Sequence, residues 1–294
     1  MPIRLTALAD PEPTALGRRL AWLAAGPDGT PLGNAYLRLF EKGGRRHLAE
    51  VDVRVHPAER RHGVGSALLD AAVAAAREDG RRSLVAQAEA GSPGAGFLAA
   101  RGFSVAMRLT YARLPLAGRE LAKETEQEAG REHPGYRLVE WEGLVPDELA
   151  ESYVASRRAM DDMPVGTIDY GTVVWDLDRV RAAAGAVAAR GEVLHTVAAV
   201  DAASGSVVGF TELVTPGSGT GDGLHYGTAV LPGHRGRGLA RWMKAASIVR
   251  ARERQPELGG LVTDTADNNP YMRGVNDALG YLPTHEAHEF QRSL

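Results

Sequence analysis

The sequence predicts an α/β protein built from two similar halves, because short apolar strands alternate with amphipathic helices and one strand–loop–helix stretch occurs twice. In each copy a strand ends near a proline, a basic loop carries Arg-x-x-Gly-x-Gly or Arg-x-x-Gly-x-Ala, and a helix follows. The corresponding positions, separated by a constant 175 residues, are Pro57, Arg60, Gly63 and Gly65 in the first copy and Pro232, Arg235, Gly238 and Ala240 in the second. Four positions that keep one spacing indicate a duplicated unit.

The first half is expected to be rich in strands. Apolar runs predict strands at 3–8, 20–24 and 32–40, and the turn Gly26-Pro-Asp-Gly29 joins the last two as a hairpin. Val51, Val53 and Val55 alternate with polar residues, which predicts a strand with one buried face. A helix over 64–78, a strand at 83–87, a helix at 96–101 and a strand at 103–114 complete this half.

The composition changes after residue 115. The charged run 123–128 has almost nothing to bury, so we expect a linker or an exposed helix there. The second half starts with a strand at 136–141, and two helices, 146–160 and 174–189, then precede its hairpin, where the first half has only residues 9–19. Strands at 193–200 and 207–214, the repeated strand, a helix from 239 to 254, a strand at 261–265, a helix at 270–279 and a strand at 284–291 follow.

The repeated loop has the chemistry of a phosphate site. Glycines allow the backbone to turn tightly, so that N–H groups at the start of a helix converge on an anion, and the neighbouring arginines add positive charge. The residues predicted to bind a pyrophosphate are Val55, Arg60, Arg61, His62, Gly63, Val64, Gly65 and Ser66 in the first copy and Val230, Arg235, Gly236, Arg237, Gly238, Leu239 and Ala240 in the second. The alternative is a strand-to-helix turn with solvated arginines.

Composition limits the classes of function. The chain has 294 residues, a hydrophobic fraction of 44%, and 34 basic against 37 acidic residues for a net charge of −3. These values describe a globular protein with two domains of ordinary size, and its dispersed charges predict neither a nucleic-acid nor a membrane partner. Because there is no cysteine, disulfides and thiolate chemistry are excluded. The N-terminus lacks the apolar core of a signal peptide, so a cytoplasmic location is expected.

The chain resembles the GNAT superfamily of acetyl-CoA-dependent N-acyltransferases, and the resemblance covers both halves. It rests on the two glycine loops, on the order of elements, and on Phe97-Leu-Ala-Ala-Arg-Gly-Phe103 and Asn276-Asp-Ala-Leu-Gly-Tyr281, which are similar to the family's last helix and its ending. The resemblance implies two tandem domains, 1–115 and 136–294 with a linker at 116–135, each a mixed, mostly antiparallel sheet flanked by helices. A monomeric pseudo-dimer is consistent with this duplication.

The resemblance also implies the reaction, a direct transfer of an acetyl group from acetyl-CoA to the primary amine of a small molecule, without a metal. A protein or peptide amine as acceptor, and a non-catalytic protein that binds acyl-CoA, are the alternatives. In this family the helices after the first strand form the wall of the acceptor cleft, and only the second half has them. The second half also has Asn269 where the family often has an asparagine that contacts the coenzyme, whereas Gly91 corresponds to it in the first. We therefore expect the second half to be catalytic.

The catalytic residues are expected in the second half. For the general base we favour Glu212 and His225, each of which has an alternative interpretation as an ordinary strand residue. Many family members use a tyrosine four residues before the glycine of the final motif as the acid, but Asn276 occupies that position, so Tyr271 is the predicted substitute.

Substrate contacts are also predicted in the second half. Asp161 and Asp162, between the two cleft helices, are candidates to bind a cationic amine, and helix termination is their alternative role. Glu50 and Asp52 are the comparable carboxylates of the first half. His285 and His288 lie on opposite faces of a predicted strand, which does not indicate a metal site.

Overall fold

A computed structural model of the chain describes residues 2–9, 17–41, 43–118, 120–162, 166–171 and 173–294. The predicted interruption at 10–13 and part of the predicted connection 161–166 lie outside these residues. The chain forms two compact units: unit 1 comprises Met1–Arg108, Val165–Val174 and Ala287–Leu294, and unit 2 comprises Leu109–Pro164 and Trp175–Glu286. Neither unit is contiguous in sequence. The predicted domain limits of 115 and 136 stay a prediction.

Unit 1 is a sheet covered on one face by helices. Its elements are β1 (Arg4–Ala9), β2 (Arg18–Ala25), β3 (Pro31–Leu39), β4 (Leu48–Val55), α1 (Val64–Glu78), β5 (Ser83–Glu89), α2 (Pro93–Ala100), the start of β6 (Ser104–Pro115) and the end of β12 (Leu282–Ser293). The strand order is β1-β2-β3-β4-β5-β12, in which β4 and β5 are parallel and the other pairs antiparallel. Leu68, Leu69 and Val73 of α1 pack against Leu37 and Val51 of the sheet.

The opposite face of the unit 1 sheet has a different cover. Residues 166–171 cross part of it, and Ile168 packs against Phe40, Leu48 and Val85. Tyr36 and Leu23 are 50% and 39% exposed. In the described part of the chain, unit 1 therefore has no helix pair on this face, in agreement with the short connection expected after its first strand.

Unit 2 has helices on both faces of its sheet. Its elements are the rest of β6, α3 (Lys123–Ala129), β7 (Tyr136–Glu142), α4 (Asp147–Ser156), α5 (Leu177–Ala188), β8 (Glu192–Asp201), β9 (Val207–Pro216), β10 (Gly221–Val230), α6 (Leu239–Arg254), β11 (Leu258–Ala266), α7 (Pro270–Ala278) and the start of β12. The strand order is β6-β11-β10-β9-β8-β7, and only β10 and β11 pair in parallel. Tyr153 of α4 and Val180 of α5 pack on one face with Phe210. Ile248 of α6 and Val275 of α7 pack on the other with Leu213.

The parallel pair of unit 2 separates along its length. Pairing between β10 and β11 ends at Leu224 and Val262. In β10 the register toward β9 also shifts between His225 and Gly227. The remaining residues of β10, up to Val230, lie outside the recorded pairing with β11, so a cleft opens between these strands toward the start of α6.

Left-handed glycines set the start of both long helices that follow the repeated loops. Gly63 precedes α1 with φ of 85°, and Gly238 precedes α6 with φ of 79°. Side chains other than glycine rarely adopt this conformation. The repeated glycine is thus a backbone requirement in both units, and the predicted helices begin at the predicted residues.

One local prediction is wrong in part. Residues 123–128 do form a helix, α3, but it buries Thr125 and Glu128. The Glu128 carboxylate lies 3.4 Å from Arg241 Nε on α6, and the Trp242 indole donates a hydrogen bond to Ala129 O. The charged sequence therefore did not predict that this helix packs against α6. In the described part of the chain, none of the helices combines the length and apolar character needed to cross a bilayer.

Candidate functional site

A cavity of about 440 Å³ lies in unit 2 at the cleft between β10 and the start of α6. Several residues predicted from the repeated loop line it. The lining residues are Ala159, Asp162, Thr228, Ala229, Val230, His234, Arg235, Gly236, Leu239, Ala240, Asn269, Tyr271 and Met272. The structure therefore brings together the predicted loop, Asn269, Tyr271 and one of the two predicted substrate carboxylates.

The backbone of this loop presents free donors. Within the described chain, the N–H groups of residues 236–240 donate to no other group, whereas those of His234, Arg235 and Trp242 bond to nearby carbonyl oxygens. Unpaired N–H groups at a helix start carry partial positive charge and bind phosphate oxygens. This loop thus fits the diphosphate of a coenzyme on its own geometry.

Arg235 connects the loop to Asp162, in the segment that follows α4. Its Nε donates to Val230 O at 2.8 Å, and its Nη2 lies 3.1 Å from Asp162 Oδ2. Both side chains are about half exposed, at 45% and 53%. The predicted phosphate ligand and a predicted substrate carboxylate are therefore partners of each other. Asp161 is exposed and lies beside this pair in sequence.

Two residues that the sequence analysis did not single out support the loop. The Tyr136 hydroxyl accepts a hydrogen bond from Arg237 Nη1 at 2.6 Å and lies 2.9 Å from His234 Nδ1. The ring of His133 stacks on Trp242, and a Cβ added at Gly238 would lie 3.3 Å from His133 Cε1. Arg237 thus points toward Tyr136. No motif marks Tyr136 or His133, because they precede the repeated stretch by about a hundred residues.

Glu212 is buried with both carboxylate oxygens in hydrogen bonds. The Tyr153 hydroxyl donates to Oε1 at 2.6 Å and Arg157 Nη1 donates to Oε2 at 2.7 Å. Burial, followed by the charge of Glu212, raises the pKa of Tyr153 well above its usual range. The Arg157 guanidinium also lies 4.1 Å from the centre of the Trp175 ring. Glu212 is therefore held by two donors in the interior of unit 2, and it does not line the cavity.

His225 is completely enclosed. In the described residues neither ring nitrogen has a hydrogen-bond partner. Burial, and next the neighbouring Lys244, lower the pKa of His225 well below its usual value. The imidazole is therefore neutral, and it does not line the cavity. Lys244 itself is a buried lysine in the middle of α6, which the sequence analysis did not anticipate because it reads as one more charged helix residue.

Tyr271 and Asn269 are at the start of α7. The Asn269 side chain accepts a hydrogen bond from Met272 N at 3.1 Å and so begins the helix. Tyr271 is 58% exposed and lies on the cavity wall. Asn276, one turn further on, is buried and cannot replace a tyrosine as an acid. Of the three predicted catalytic residues, Tyr271 alone reaches the cavity.

Unit 1 has a larger cavity, of about 1250 Å³, at the corresponding place. The predicted residues that line it are Val55, Arg60, Arg61, Gly63, Gly65 and Ser66. The backbone N–H groups of residues 61–66 donate to no other described group. Arg60 and Arg61 are exposed. This loop therefore also fits a diphosphate.

The other predicted residues of unit 1 lie away from this cavity. Val64 is buried in the core. His62 Nδ1 lies 3.7 Å from a Glu59 oxygen, at the edge of ion-pair distance. Glu50 pairs with Arg38 and Arg45, each at 3.4 Å, and Asp52 pairs with Arg54 at 2.9 Å. The two carboxylates compared with Glu212 thus take part in surface ion pairs.

Two units with the same strand order, each with a cavity beside a glycine-led helix, define a duplicated acetyltransferase fold. The chain belongs to the Acetyltransferase (GNAT) family, whose model matches residues 6–103 and 167–281. The predicted family and fold class are confirmed, including a mixed, mostly antiparallel sheet in each unit.

Solved structures agree with this assignment. The tandem GNAT protein from the clavulanic acid biosynthesis pathway, solved without AcCoA, is similar at 25% identity and a TM-score of 0.75, over 96% of this chain and 84% of that one. The GCN5-related N-acetyltransferase from Sphaerobacter thermophilus shares the fold at 16% identity and a TM-score of 0.69, over 93% of this chain and 80% of that one. No curated protein sequence matches the chain significantly.

Proposed function

We propose that unit 2 transfers an acetyl group from acetyl-CoA to the primary amine of a small molecule. The observation that carries this proposal is the cavity between β10 and α6, because a glycine-led helix start with unpaired N–H groups opens into it. The coenzyme would supply the activated acetyl group as a thioester. The loop residues 235–240 would hold its diphosphate, with Asn269 and Tyr271 on the opposite wall.

The Arg235–Asp162 pair supports a cationic acceptor. A diphosphate bound at the loop competes for the Arg235 guanidinium, because phosphates and carboxylates prefer the same donors. Asp162, released from Arg235, is then an unpaired carboxylate at the cavity, next to Asp161. An ammonium group is the natural partner for such a pair of acids. This arrangement favours binding of the coenzyme before the amine.

The amine must lose a proton before it attacks the thioester. With an ordinary amine pKa this deprotonation costs about 4.6 kcal/mol at neutral pH, so a base within reach accelerates the reaction. Glu212 is the base that we propose, and it acts by exchanging Tyr153 or Arg157 for the substrate or a water. His225 is the weaker candidate because it is enclosed and without a partner.

The experiment is turnover of the full chain with acetyl-CoA and a panel of amines, followed by release of free thiol. Arg235→Glu should abolish the reaction, since it puts a negative charge where the diphosphate binds. Arg60→Glu is the matched control in unit 1 and should have a smaller effect. Equal loss from both variants would refute the assignment of catalysis to unit 2, and absence of turnover in the presence of bound coenzyme would refute the transferase proposal.

A second candidate function applies to unit 1 alone. Its cavity has exposed loop arginines and unpaired N–H groups, whereas its described sheet face has no counterpart of α4 and α5. We propose that unit 1 binds the coenzyme without transferring its acetyl group. Calorimetric titration should then find two acetyl-CoA molecules per chain, and Arg60→Glu should reduce this to one. A single site in the unchanged chain would refute the idea.

A further inference from the structure

The cavity of unit 1 is larger than that of unit 2, with volumes of about 1250 Å³ and 440 Å³. The helix that lines each cavity contributes to this difference. The residue after the first proline is Tyr271 in α7 and Gly94 in α2, and each of them lines its cavity. Gly96 also lines the unit 1 cavity, and a Cβ added there would have no described atom within 4 Å. Unit 1 therefore has space for a ligand larger than one that fills the unit 2 cavity.

The unit 1 cavity runs through the sheet. Val53 packs toward the core under α1, so the next residue, Arg54, is on the opposite face of β4. Ala88 packs against the same core, and Glu89 is on the opposite face of β5. All four residues line the cavity. Because pairing of β4 with β5 ends at Glu50, the two strands separate beyond it, and the gap between them connects both faces of the sheet.

The side of this gap next to α2 is narrow in polar groups and open in space. A Cβ added at Gly94 would lie 3.6 Å from Ala88 Cβ, so a large side chain at this position would lie beside β5. The neighbouring lining residues Val53, Val55 and Phe97 are apolar. Small and apolar side chains of this kind suit an apolar part of a ligand.

The gap opens onto a part of the sheet where apolar side chains are exposed. Tyr36 on β3 lies opposite Asp52 on β4, beside the gap. The same row continues through Ala21 to Leu8 on β1, and Leu23 lies in the neighbouring row. Tyr36, Leu23 and Leu8 are 50%, 39% and 59% exposed. Helices α1 and α2 both pack on the other face, so an apolar stripe continues from the gap toward the edge of the sheet.

A ligand of this cavity should be anionic at one end and apolar at the other. The unpaired N–H groups of residues 61–66 favour an anion at one end. At the stripe, Asp52 and Arg54 pair with each other at 2.9 Å, so they do not require a charged ligand. From β4 to β1 the stripe spans three interstrand distances, or about 14 Å. A single hydrocarbon chain can pass between two separated strands, and the coenzyme A thioester of a fatty acid joins such a chain to a diphosphate.

We propose that unit 1 binds the coenzyme A thioester of a fatty acid in preference to acetyl-CoA. The acyl chain passes beside Gly94 and Ala88, enters the gap between β4 and β5, and lies along Tyr36 on the other face. This inference rests on the coenzyme binding proposed for unit 1, and it names the class of acyl group that this unit selects. The thioester stays intact, because unit 1 binds it without transfer.

The test compares octanoyl-CoA with acetyl-CoA by calorimetric titration of the full chain with Arg235→Glu, which restricts coenzyme binding to unit 1. Octanoyl-CoA should bind about 50-fold more tightly, the ratio expected if its six additional methylene groups are half buried. Adding Gly94→Tyr should reduce this ratio at least about tenfold, because the ring fills the path of the chain. Ala99→Tyr is the matched control, since Ala99 is exposed on the same helix and does not line the cavity. Tyr36→Asn should weaken the binding of octanoyl-CoA more than that of acetyl-CoA.

Equal affinities for the two thioesters, with acetyl-CoA bound, would overturn this inference and leave coenzyme binding by unit 1 intact. Binding of neither thioester would overturn the proposed coenzyme binding and this inference with it. A loss in Ala99→Tyr as large as in Gly94→Tyr would also refute the inference, because the effect would then come from a disturbed helix. Melting transitions show whether the variants fold, and the comparison of the two thioesters needs no substitution in unit 1.

Discussion

Replacement of Lys244 by methionine should stabilise unit 2 near neutral pH and do so less as the pH rises. Burial lowers the pKa of Lys244 from 10.5 to about 7. Between these values the unfolded chain binds a proton that the folded chain does not, so the free energy of unfolding rises by about 1.4 kcal/mol per pH unit. Below this window the folded chain bears the full cost of the buried charge, and above it the cost vanishes. The methionine variant lacks this contribution to the pH dependence of the free energy of unfolding.

The magnitude follows from two opposing terms. The difference between the two pKa values corresponds to about 5 kcal/mol of destabilisation below the window. Methionine removes it, but leaves Asn276 and Thr263 without their donor, which costs about 1 to 3 kcal/mol. Near pH 7 the variant should therefore be more stable by about 2 to 4 kcal/mol.

Urea unfolding of the full chain, followed by tryptophan fluorescence, measures this difference. Trp141, Trp175 and Trp242 report on unit 2. The stability difference between variant and unchanged chain should shrink by about 1.4 kcal/mol for each unit of pH above 7. If the two stability curves stay parallel over this range, Lys244 is charged in the folded chain throughout, and the reasoning is refuted.

Three further outcomes are expected. Glu212→Gln leaves the Arg157 cation buried without a counter-charge, so the free energy of unfolding should fall by about 3 kcal/mol in urea unfolding, and a neutral result would show that the pair is solvated. Gly238→Ala should lower the melting temperature more than Gly63→Ala, because both positions have positive φ but only the first has a neighbour within 4 Å. Tyr271→Phe should reduce kcat about 100-fold with an unchanged KM if the hydroxyl donates a proton, whereas a change in KM alone would limit it to binding.

Much of the fold could be predicted from sequence, because local signals agreed with tertiary structure. Helix α1 occupies the predicted 64–78 since Gly63 provides the left-handed start and Leu68, Leu69 and Val73 form one apolar face. The sequence did not predict that helix α3 is partly buried, because the two residues that it buries, Thr125 and Glu128, are polar. The periodicity of apolar residues predicts a helix that is packed through an apolar face, but it does not predict a helix that is packed through ion pairs.

The sequence predicted the parts of the site that depend on backbone conformation better than the parts that depend on contacts between side chains. The repeated glycine pattern led directly to the two loops with unpaired N–H groups. Nothing in the strand sequence showed that Glu212 is paired with Arg157, which is separated from it by 55 residues and belongs to the helical turn that follows α4 within the insertion. The sequence did not predict the burial of Lys244, because a lysine in a helix is ordinarily solvated.

Each unit contains a strand from the far end of the other half of the chain, and this pairing determines whether either unit can be produced alone. Residues 109–115 of β6 complete the sheet of unit 2, and residues 287–293 of β12 complete that of unit 1. A cut between residues 116 and 135 would leave the first fragment without β12, which pairs with β5, and the second fragment without β6, which pairs with β11. To produce either unit alone, an engineer must add the missing strand to it.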